Sequence, residues 1–451
     1  MLFSSLTFLI WFLPTVLIVH MLLPFKWRNA FLLCASIFFY AWGEIRYVPL
    51  VLVSMTLNYF FGLQVARGSR GQRRFWLVLS VLFNFGALVY YKYAAFFMQV
   101  VGLGAWAPAV VMPLGISFYT FQAQGYVVDV FRGKVPPEKN PINLMTFILL
   151  FPQLIAGPIV LYTDVARELR VRPLRAEQLE KGMGQFIAGL AAKVLLANPL
   201  GALTEQITAR AASSAAAMWL ATLAGVLQLY FDFAGYSQMA IGMGNMLGFR
   251  FPRNFDFPLS ATSMRAFWRR WHMTLGVWLR DYIYIPLGGS KGKAWRTVFN
   301  LFMVWLFSGL WHGADYNHVL WGLWFFLWVA LERTRYGTFV DAHPGYGFLY
   351  TQLAFLIAWP LFHYSLPQEA IAHFTRMFAP GWSGDVLYLL RDNAVLLLIA
   401  VLACIRPVAQ CLSAWGQRWP ILRVAAGLLV LTLCIASLVN ENYNPFIYFR
   451  F

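Results

Sequence analysis

The sequence has little charge. Only 12% of its 451 residues are Asp, Glu, Lys or Arg, whereas 60% are hydrophobic. A soluble globular domain carries about 25% charged residues, so this chain has too few charged side chains to cover a water-exposed surface of its size. The shortage excludes a soluble globular protein and a disordered one, and it indicates an integral membrane protein.

Cysteine and recognisable metal-binding patterns are also scarce. Four cysteines in 451 residues cannot build a disulfide scaffold, and no two of them have the CxxC spacing of a redox or zinc site. The seven histidines show neither HExxH nor HxxxH spacing. The sequence therefore predicts no metal site.

Long apolar segments are plentiful. They begin with residues 6–23 and continue to residues 422–438, and we expect an all-α protein with about eleven to thirteen transmembrane or re-entrant helices. Residues 112–122 and 151–158 are apolar but interrupted by Pro and Gly. Lipid tolerates irregular backbone only where protein buries it or where it lines a cavity. These two stretches are therefore candidates for broken or re-entrant helices around a site.

Basic residues outnumber acidic ones by 35 to 18, which gives a net charge of +17. Loops rich in Lys and Arg stay in the cytoplasm, and Lys26 and Arg28 directly follow the first apolar segment. The sequence thus predicts an N-terminus outside the cytoplasm. Residues 250–296 carry +7 of the excess, and we expect this basic segment to face the cytoplasm and its anionic lipids, not nucleic acid, within one membrane domain of residues 1–451.

One histidine lies at the end of an apolar run. His312 follows residues 298–311 and precedes Gly313, which allows close approach of backbone or substrate. Ionisable groups in membrane segments are functional candidates, and a neutral imidazole can take a proton from a hydroxyl group. The alternative is a packed or hydrogen-bonded core histidine.

A second histidine lies among arginines in the basic segment. Arg265, Arg269 and His272 have spacings of four and three, which predicts one face of a helix. Such a face, with Arg280 nearby, could hold the phosphates of a nucleotide-bearing donor, because guanidinium binds phosphate in a bidentate way. The alternative is an interfacial anchor helix whose arginines extend to the membrane surface.

Two carboxylates lie close to aromatic residues. Asp129 and Asp232 either form structural ion pairs or caps, or they orient an imidazole or a substrate. His318 cannot share a helix face with His312, and we expect it to be a polar residue at a helix start.

Ordered sequence blocks extend over most of the chain. They are residues 113–122, 151–158, 230–237, 254–258, 267–272, 280–289, 309–314 and 444–449. Together they resemble the membrane-bound O-acyltransferase (MBOAT) superfamily, in particular the branch of the alginate O-acetyltransferase membrane subunit. The resemblance implies a helical bundle around a funnel, with an essential histidine at His312 and a second one at His272. Residues 315–317 depart from the usual aromatic pattern, so the detailed shape of the pocket is not implied.

The resemblance also implies a reaction. Members of this branch take an acetyl group from a cytoplasmic donor, expected to be acetyl-CoA, and pass it across the bacterial inner membrane. A periplasmic partner protein then acetylates an exported polysaccharide such as alginate, and no bound cofactor is expected. His312 would act as a general base or as a transient acyl carrier, His272 and the arginines would position the donor, and Asp129 and Asp232 would support them.

Two other functions remain open at the level of sequence. D-alanyl transfer to teichoic acid uses the same fold and shares the tryptophan–histidine blocks. A transporter would also show many helices and few buried charges, but such proteins are often built from repeats with broken helices at matching positions. Here the two broken stretches lie close together in the sequence.

Overall fold

The computed structural model describes residues 1–108, 110–155, 157–210, 213–380 and 384–440. Within these ranges the chain forms helices and no β-strand, which confirms the predicted all-α class. The sequence block at residues 444–449 and residue 156 of the block at 151–158 lie outside the described residues.

The described helices are numbered α1 to α23 in chain order. The first twelve are α1 (Leu13–Leu22), α2 (Phe25–Glu44), α3 (Val48–Val65), α4 (Arg70–Leu88), α5 (Ala94–Val100), α6 (Ile116–Phe131), α7 (Pro141–Leu149), α8 (Phe151–Leu154), α9 (Tyr162–Val165), α10 (Ala176–Ala191), α11 (Asn198–Thr208) and α12 (Ala215–Met246). The others are α13 (Met264–Trp268), α14 (Met273–Leu279), α15 (Ala294–His312), α16 (Tyr316–Leu331), α17 (Arg335–Ala342), α18 (Pro344–His363), α19 (Pro367–Met377), α20 (Asp385–Asp392), α21 (Ala394–Ala403), α22 (Arg406–Arg418) and α23 (Pro420–Asn440).

Several helical stretches suit a membrane crossing. Among the described residues, six stretches are long and apolar enough to cross a bilayer, and the bent pair α20–α21 makes a seventh. The longest, Phe25–Val65, has 41 residues, about twice what one crossing needs, and a 3-10 turn at Ile45–Tyr47 divides it into α2 and α3. The chain is thus a multi-pass membrane protein, and the total of eleven to thirteen membrane elements stays a prediction.

The chain divides into two compact units. Unit 1 comprises residues 1–186 and 236–253, and unit 2 comprises residues 187–235 and 254–451. The chain passes from one unit to the other within α10 and again within α12. The prediction of one functional domain over residues 1–451 stays a prediction.

Unit 1 contains an aromatic core and both broken stretches. The ring of Phe8 lies 5.0 Å from Phe3 and 6.3 Å from Phe151 between centroids. Helix α6 begins only after Gly115, whose φ is +71°, and α8 is a single turn that ends at Leu154. A Cβ atom on Gly115 would lie 2.6 Å from the carbonyl oxygen of Leu154. The two interrupted stretches therefore pack directly against each other, which requires glycine at this position.

Unit 2 contains a core of buried aromatic side chains from α13, α15, α16 and α18. Helices α15 and α16 approach closely because glycines face each other at their contact. A Cβ atom on Gly322 would lie 2.5 Å from the carbonyl oxygen of Trp305, and one on Gly309 would collide with the carbonyl of His318. This close packing places the end of α15 against the start of α16.

Candidate active site

His272 lies in a turn between two helices. The prediction of one helix face with Arg265, Arg269 and His272 is wrong, because α13 ends before Arg269 and α14 begins after His272, whose φ is +43°. The physical reason is a contact from far along the chain. The backbone N–H of Met273 donates to the carbonyl oxygen of Asn254 at 2.9 Å, so a tertiary hydrogen bond starts a new helix here.

The side chain of Asn254 holds the imidazole of His272. Its Oδ1 accepts hydrogen bonds from the backbone N–H of Thr274 at 3.2 Å and from the Thr274 hydroxyl at 2.9 Å, and it lies 3.1 Å from Nδ1 of His272. A backbone N–H can only donate, so this atom is the amide oxygen and Nδ1 of His272 must carry a proton. The neutral ring therefore has its lone pair on Nε2.

The free side of the His272 ring is buried. In the described part of the chain, Nε2 has no hydrogen-bond partner, and the residue is only 3% exposed. Burial lowers the pKa of His272 well below the ordinary value of an imidazole. The ring is thus held neutral, with an unprotonated Nε2.

His312 is the last residue of α15, and its ring lies among aromatic side chains. Ring centroids are 4.9 Å apart for His312 and Trp311, 4.9 Å for His312 and Trp321, and 5.2 Å for His312 and Phe362. The residue is 2% exposed. The next residue, Gly313, has an extended backbone. Because it is glycine, it places no side chain next to the imidazole.

The two histidines that sequence analysis singled out lie together in unit 2. The ring centroids of His272 and His312 are 6.4 Å apart, and Trp311 lies beside both. The structure therefore brings the two buried imidazoles close together beside one indole ring. We call His272, His312 and Asn254 the histidine site.

Arg265 is engaged in an ionic cluster around the buried carboxylate of Glu332. Its Nε lies 3.0 Å from Glu332, and its second terminal nitrogen lies 3.0 Å from Asp341. Glu332 also accepts the backbone N–H groups of Met264 and Arg265 and the hydroxyl of Tyr350. The cluster holds the first turn of α13, a structural role that sequence analysis did not foresee.

The other two predicted donor-binding arginines lie at the surface. Arg269 is exposed, and Arg280 forms an exposed ion pair with Asp281 at 2.7 Å. Exposed pairs of this kind contribute at most about 1 kcal/mol, so an anionic ligand could replace the carboxylate. A role in donor binding stays a prediction for both.

The two predicted supporting carboxylates belong to different units. Asp129 lies in unit 1 at the end of α6, where it pairs with Lys134 at 3.2 Å. Asp232 lies in unit 2 and pairs with Lys193 at 2.8 Å, both side chains being buried. The residue after Asp232 is Phe233, whose ring packs edge to face on His272 at 4.7 Å. Asp232 is therefore close in sequence to a wall of the histidine site.

Asn254 is the site residue that sequence reasoning missed. It opens the block at residues 254–258, and that position was its only signal. Eighteen residues separate Asn254 from His272, so no local spacing predicts their contact.

Comparisons with known proteins identify the family of this chain. The family model of the membrane-bound O-acyltransferase family matches residues 136–365, which include every residue of the histidine site. Over the full length of both proteins, the chain is 34% identical to "Probable alginate O-acetylase AlgI" of Azotobacter vinelandii. It is 28% identical to the peptidoglycan O-acetyltransferase of Helicobacter pylori over all of this chain and 98% of that protein. The teichoic acid D-alanyltransferase of Streptococcus thermophilus is 32% identical over 47% of this chain and 54% of that protein. The chain therefore belongs to the membrane-bound O-acyltransferase family, in the branch that includes the alginate O-acetylases, and it is a multi-pass membrane O-acyltransferase.

Proposed function

We propose that this enzyme moves an acetyl group from acetyl-CoA on the cytoplasmic side of a bacterial inner membrane to the other side, for O-acetylation of an exported polysaccharide such as alginate. The full-length similarity to an alginate O-acetylase and to a peptidoglycan O-acetyltransferase supports this substrate class. A periplasmic acetyltransferase would receive the group. The N-terminus would lie outside the cytoplasm.

The observation that carries the proposal is the pair of buried imidazoles 6.4 Å apart. His312 acts as general base on the acceptor hydroxyl, or it carries the acetyl group briefly as an acyl-imidazole. His272 positions the reacting group through the lone pair on Nε2. Among the predicted carboxylates, Asp232 is the better candidate for support, because it precedes Phe233 in a wall of the site.

The donor would enter along the basic segment of residues 250–296, which would face the cytoplasm. Its net charge of +7 would attract the anionic phosphates of acetyl-CoA. Arg265 already binds two carboxylates, so Arg269 and Arg280 are the stronger candidates for phosphate contacts.

Replacement of His312 tests the proposal in cells. We expect His312→Ala to abolish acetyl esters on the exported polysaccharide, while the amount of protein in the membrane stays normal. His343→Ala is the matched control, because His343 is exposed and lies outside the histidine site; it should keep full acetylation. Acetylation retained by His312→Ala would refute the role of His312.

Labelled acetyl-CoA distinguishes the two routes. In rapid-quench experiments on purified protein, label on the wild-type chain but not on His312→Ala would indicate an acyl-imidazole. Turnover without labelled protein would indicate direct transfer with His312 as the base.

D-alanyl transfer to teichoic acid is the rival activity. The similarity to that enzyme covers about half of this chain, whereas the similarity to the acetylating relatives covers all of it. Family membership likewise favours acyl transfer over the transporter alternative.

A further inference from the structure

A carboxylate–imidazole pair lies beside His312. Asp315 caps α16, where it accepts the backbone N–H of His318 at 2.9 Å. Nδ1 of His318 lies 2.9 Å and 2.8 Å from the two carboxylate oxygens of the same Asp315. An N-cap needs only the first of these bonds, so capping does not account for the second contact.

The His318 ring borders the backbone that follows His312. A Cβ atom on Gly313 would collide with the imidazole of His318. The rings of His312 and His318 both pack against Phe362, at centroid distances of 5.2 Å and 5.3 Å. All of these residues belong to unit 2.

The pair connects a buried ring with a partly exposed charge. The side chain of His318 is 1% exposed, and that of Asp315 is 23% exposed. A carboxylate that accepts from Nδ1 fixes the tautomer and orientation of an imidazole and stabilises positive charge near it, as in catalytic triads. In a site with little water, such a charge acts more strongly than in bulk solvent.

We propose that Asp315 and His318 are positioning residues that orient His312 and support the positive charge it acquires during acyl transfer. This inference rests on the proposed function. In the direct route of that reaction, the acceptor oxygen forms a bond to the acyl carbon, the carbon–sulfur bond of the donor breaks, and its electron pair leaves on sulfur. The acceptor proton passes to His312 and then to the leaving thiolate. His312 is therefore cationic between the two proton transfers, and the negative charge of Asp315 favours that state.

Other titratable groups surround this region. His272 faces His312 from the turn before α14, and Tyr364 and His363 lie at the end of α18. On α19, His373 contacts the hydroxyl of Tyr364 through Nδ1 at 3.2 Å. These groups are unchanged in the variants below, so a change in the pH profile reports on Asp315 and His318.

The test compares rates of labelled acetyl transfer from acetyl-CoA by purified full-length variants across pH. Asn is also a good N-cap, so Asp315→Asn keeps the helix start and removes only the charge. We expect its kcat at neutral pH to fall about tenfold and the acid limb of its profile to move about one unit to lower pH, while the KM for acetyl-CoA stays within about twofold. His318→Phe should lose at least as much, and the double variant should lose no more than His318→Phe alone.

Asp392→Asn is the matched control, because Asp392 forms an exposed ion pair with Arg391 away from the histidine site; its rate and profile should equal those of the wild type. A wild-type rate and profile for Asp315→Asn, with His312→Ala inactive, would overturn this inference and leave the proposed function intact. An unchanged profile with a lower unfolding temperature would also overturn it, because it would show a cap and nothing more. Activity retained by His312→Ala would instead refute the proposed function.

Discussion

Helices α13 and α14 begin close together in the chain. At each N-terminus, backbone N–H groups donate hydrogen bonds to a side chain from another part of the chain. At α13 the buried carboxylate of Glu332 accepts backbone N–H groups together with the guanidinium of Arg265. At α14 the neutral amide of Asn254 accepts a backbone N–H together with the imidazole of His272. The first arrangement pairs a positive with a negative charge. The second leaves Nε2 of His272 buried and unprotonated.

The difference shows how similar hydrogen bonding holds a paired charge at one helix and a neutral imidazole at the next. A paired carboxylate and guanidinium have little tendency to exchange partners, so the Arg265 cluster is suited to holding backbone. A neutral imidazole with a fixed tautomer can accept a proton or a hydrogen bond. The histidine site therefore contains a neutral imidazole with a fixed tautomer, and the Glu332 cluster supports the turn that carries it.

Among the variants that change the two helix starts, Asn254→Ala should have the largest effect on activity. It removes the acceptor that fixes the His272 ring, and displacement of a catalytic group by about 1 Å can lower the rate about a hundredfold. The expected result is a kcat reduced by about that factor in acetyl transfer assays.

The control for this variant is Asn393→Ala. The side chain of Asn393 donates a local hydrogen bond to the carbonyl oxygen of Leu389. Wild-type kcat in Asn254→Ala would show that the amide is not needed to position His272.

Glu332→Gln should chiefly affect stability. It removes the buried charge that accepts the backbone N–H groups of α13 and pairs with the partly exposed Arg265, and loss of a hydrogen bond to a charged group costs about 1.5–3 kcal/mol. Thermal unfolding in detergent should shift to lower temperature, while the folded fraction keeps kcat within about threefold because the histidine site is unchanged.

Asp341→Asn is the natural comparison, because Asp341 contacts the same arginine from an exposed position; its unfolding should change little. Equal losses of stability in the two variants would contradict the dominant role of the buried carboxylate.

Arg269→Gln should have the smallest effect. Arg269 lies in the turn between the two helix starts and is exposed, so loss of its charge should raise the KM for acetyl-CoA by a few-fold and leave kcat unchanged. The difference from the wild type should shrink at high salt, since exposed charges are screened. A lower kcat with an unchanged KM would place Arg269 in the chemistry and not in donor binding.

The sequence was enough to predict the class of protein and to single out two histidines that the structure brings close together. Scarce charge and repeated apolar segments predict helices in a membrane, and ordered blocks point to His272 and His312. These properties are local, or they depend on composition. The break between α13 and α14 is different, because Arg265, Arg269 and His272 have good helical spacing, and hydrogen bonds that Asn254 accepts from a distant part of the chain interrupt it.

The contacts that the sequence did not predict join residues far apart in the chain. Glu332 lies 67 residues from Arg265 in the chain, and an isolated carboxylate after an apolar helix carries no sign of its partner. Asp129 and Asp232 both form ion pairs, one of the two alternatives predicted for them. Asp129 pairs with the nearby Lys134, but only tertiary packing reveals that Asp232 pairs with Lys193.

The most direct test of the central claim is thiol release from acetyl-CoA in a single turnover by the purified chain with a hydroxyl acceptor. The account predicts release by the wild type and by His343→Gln, and none above background by His312→Gln or by a variant that lacks both site histidines. Release by His312→Gln at the wild-type rate would contradict the account, because the acyl transfer would then not depend on the histidine site.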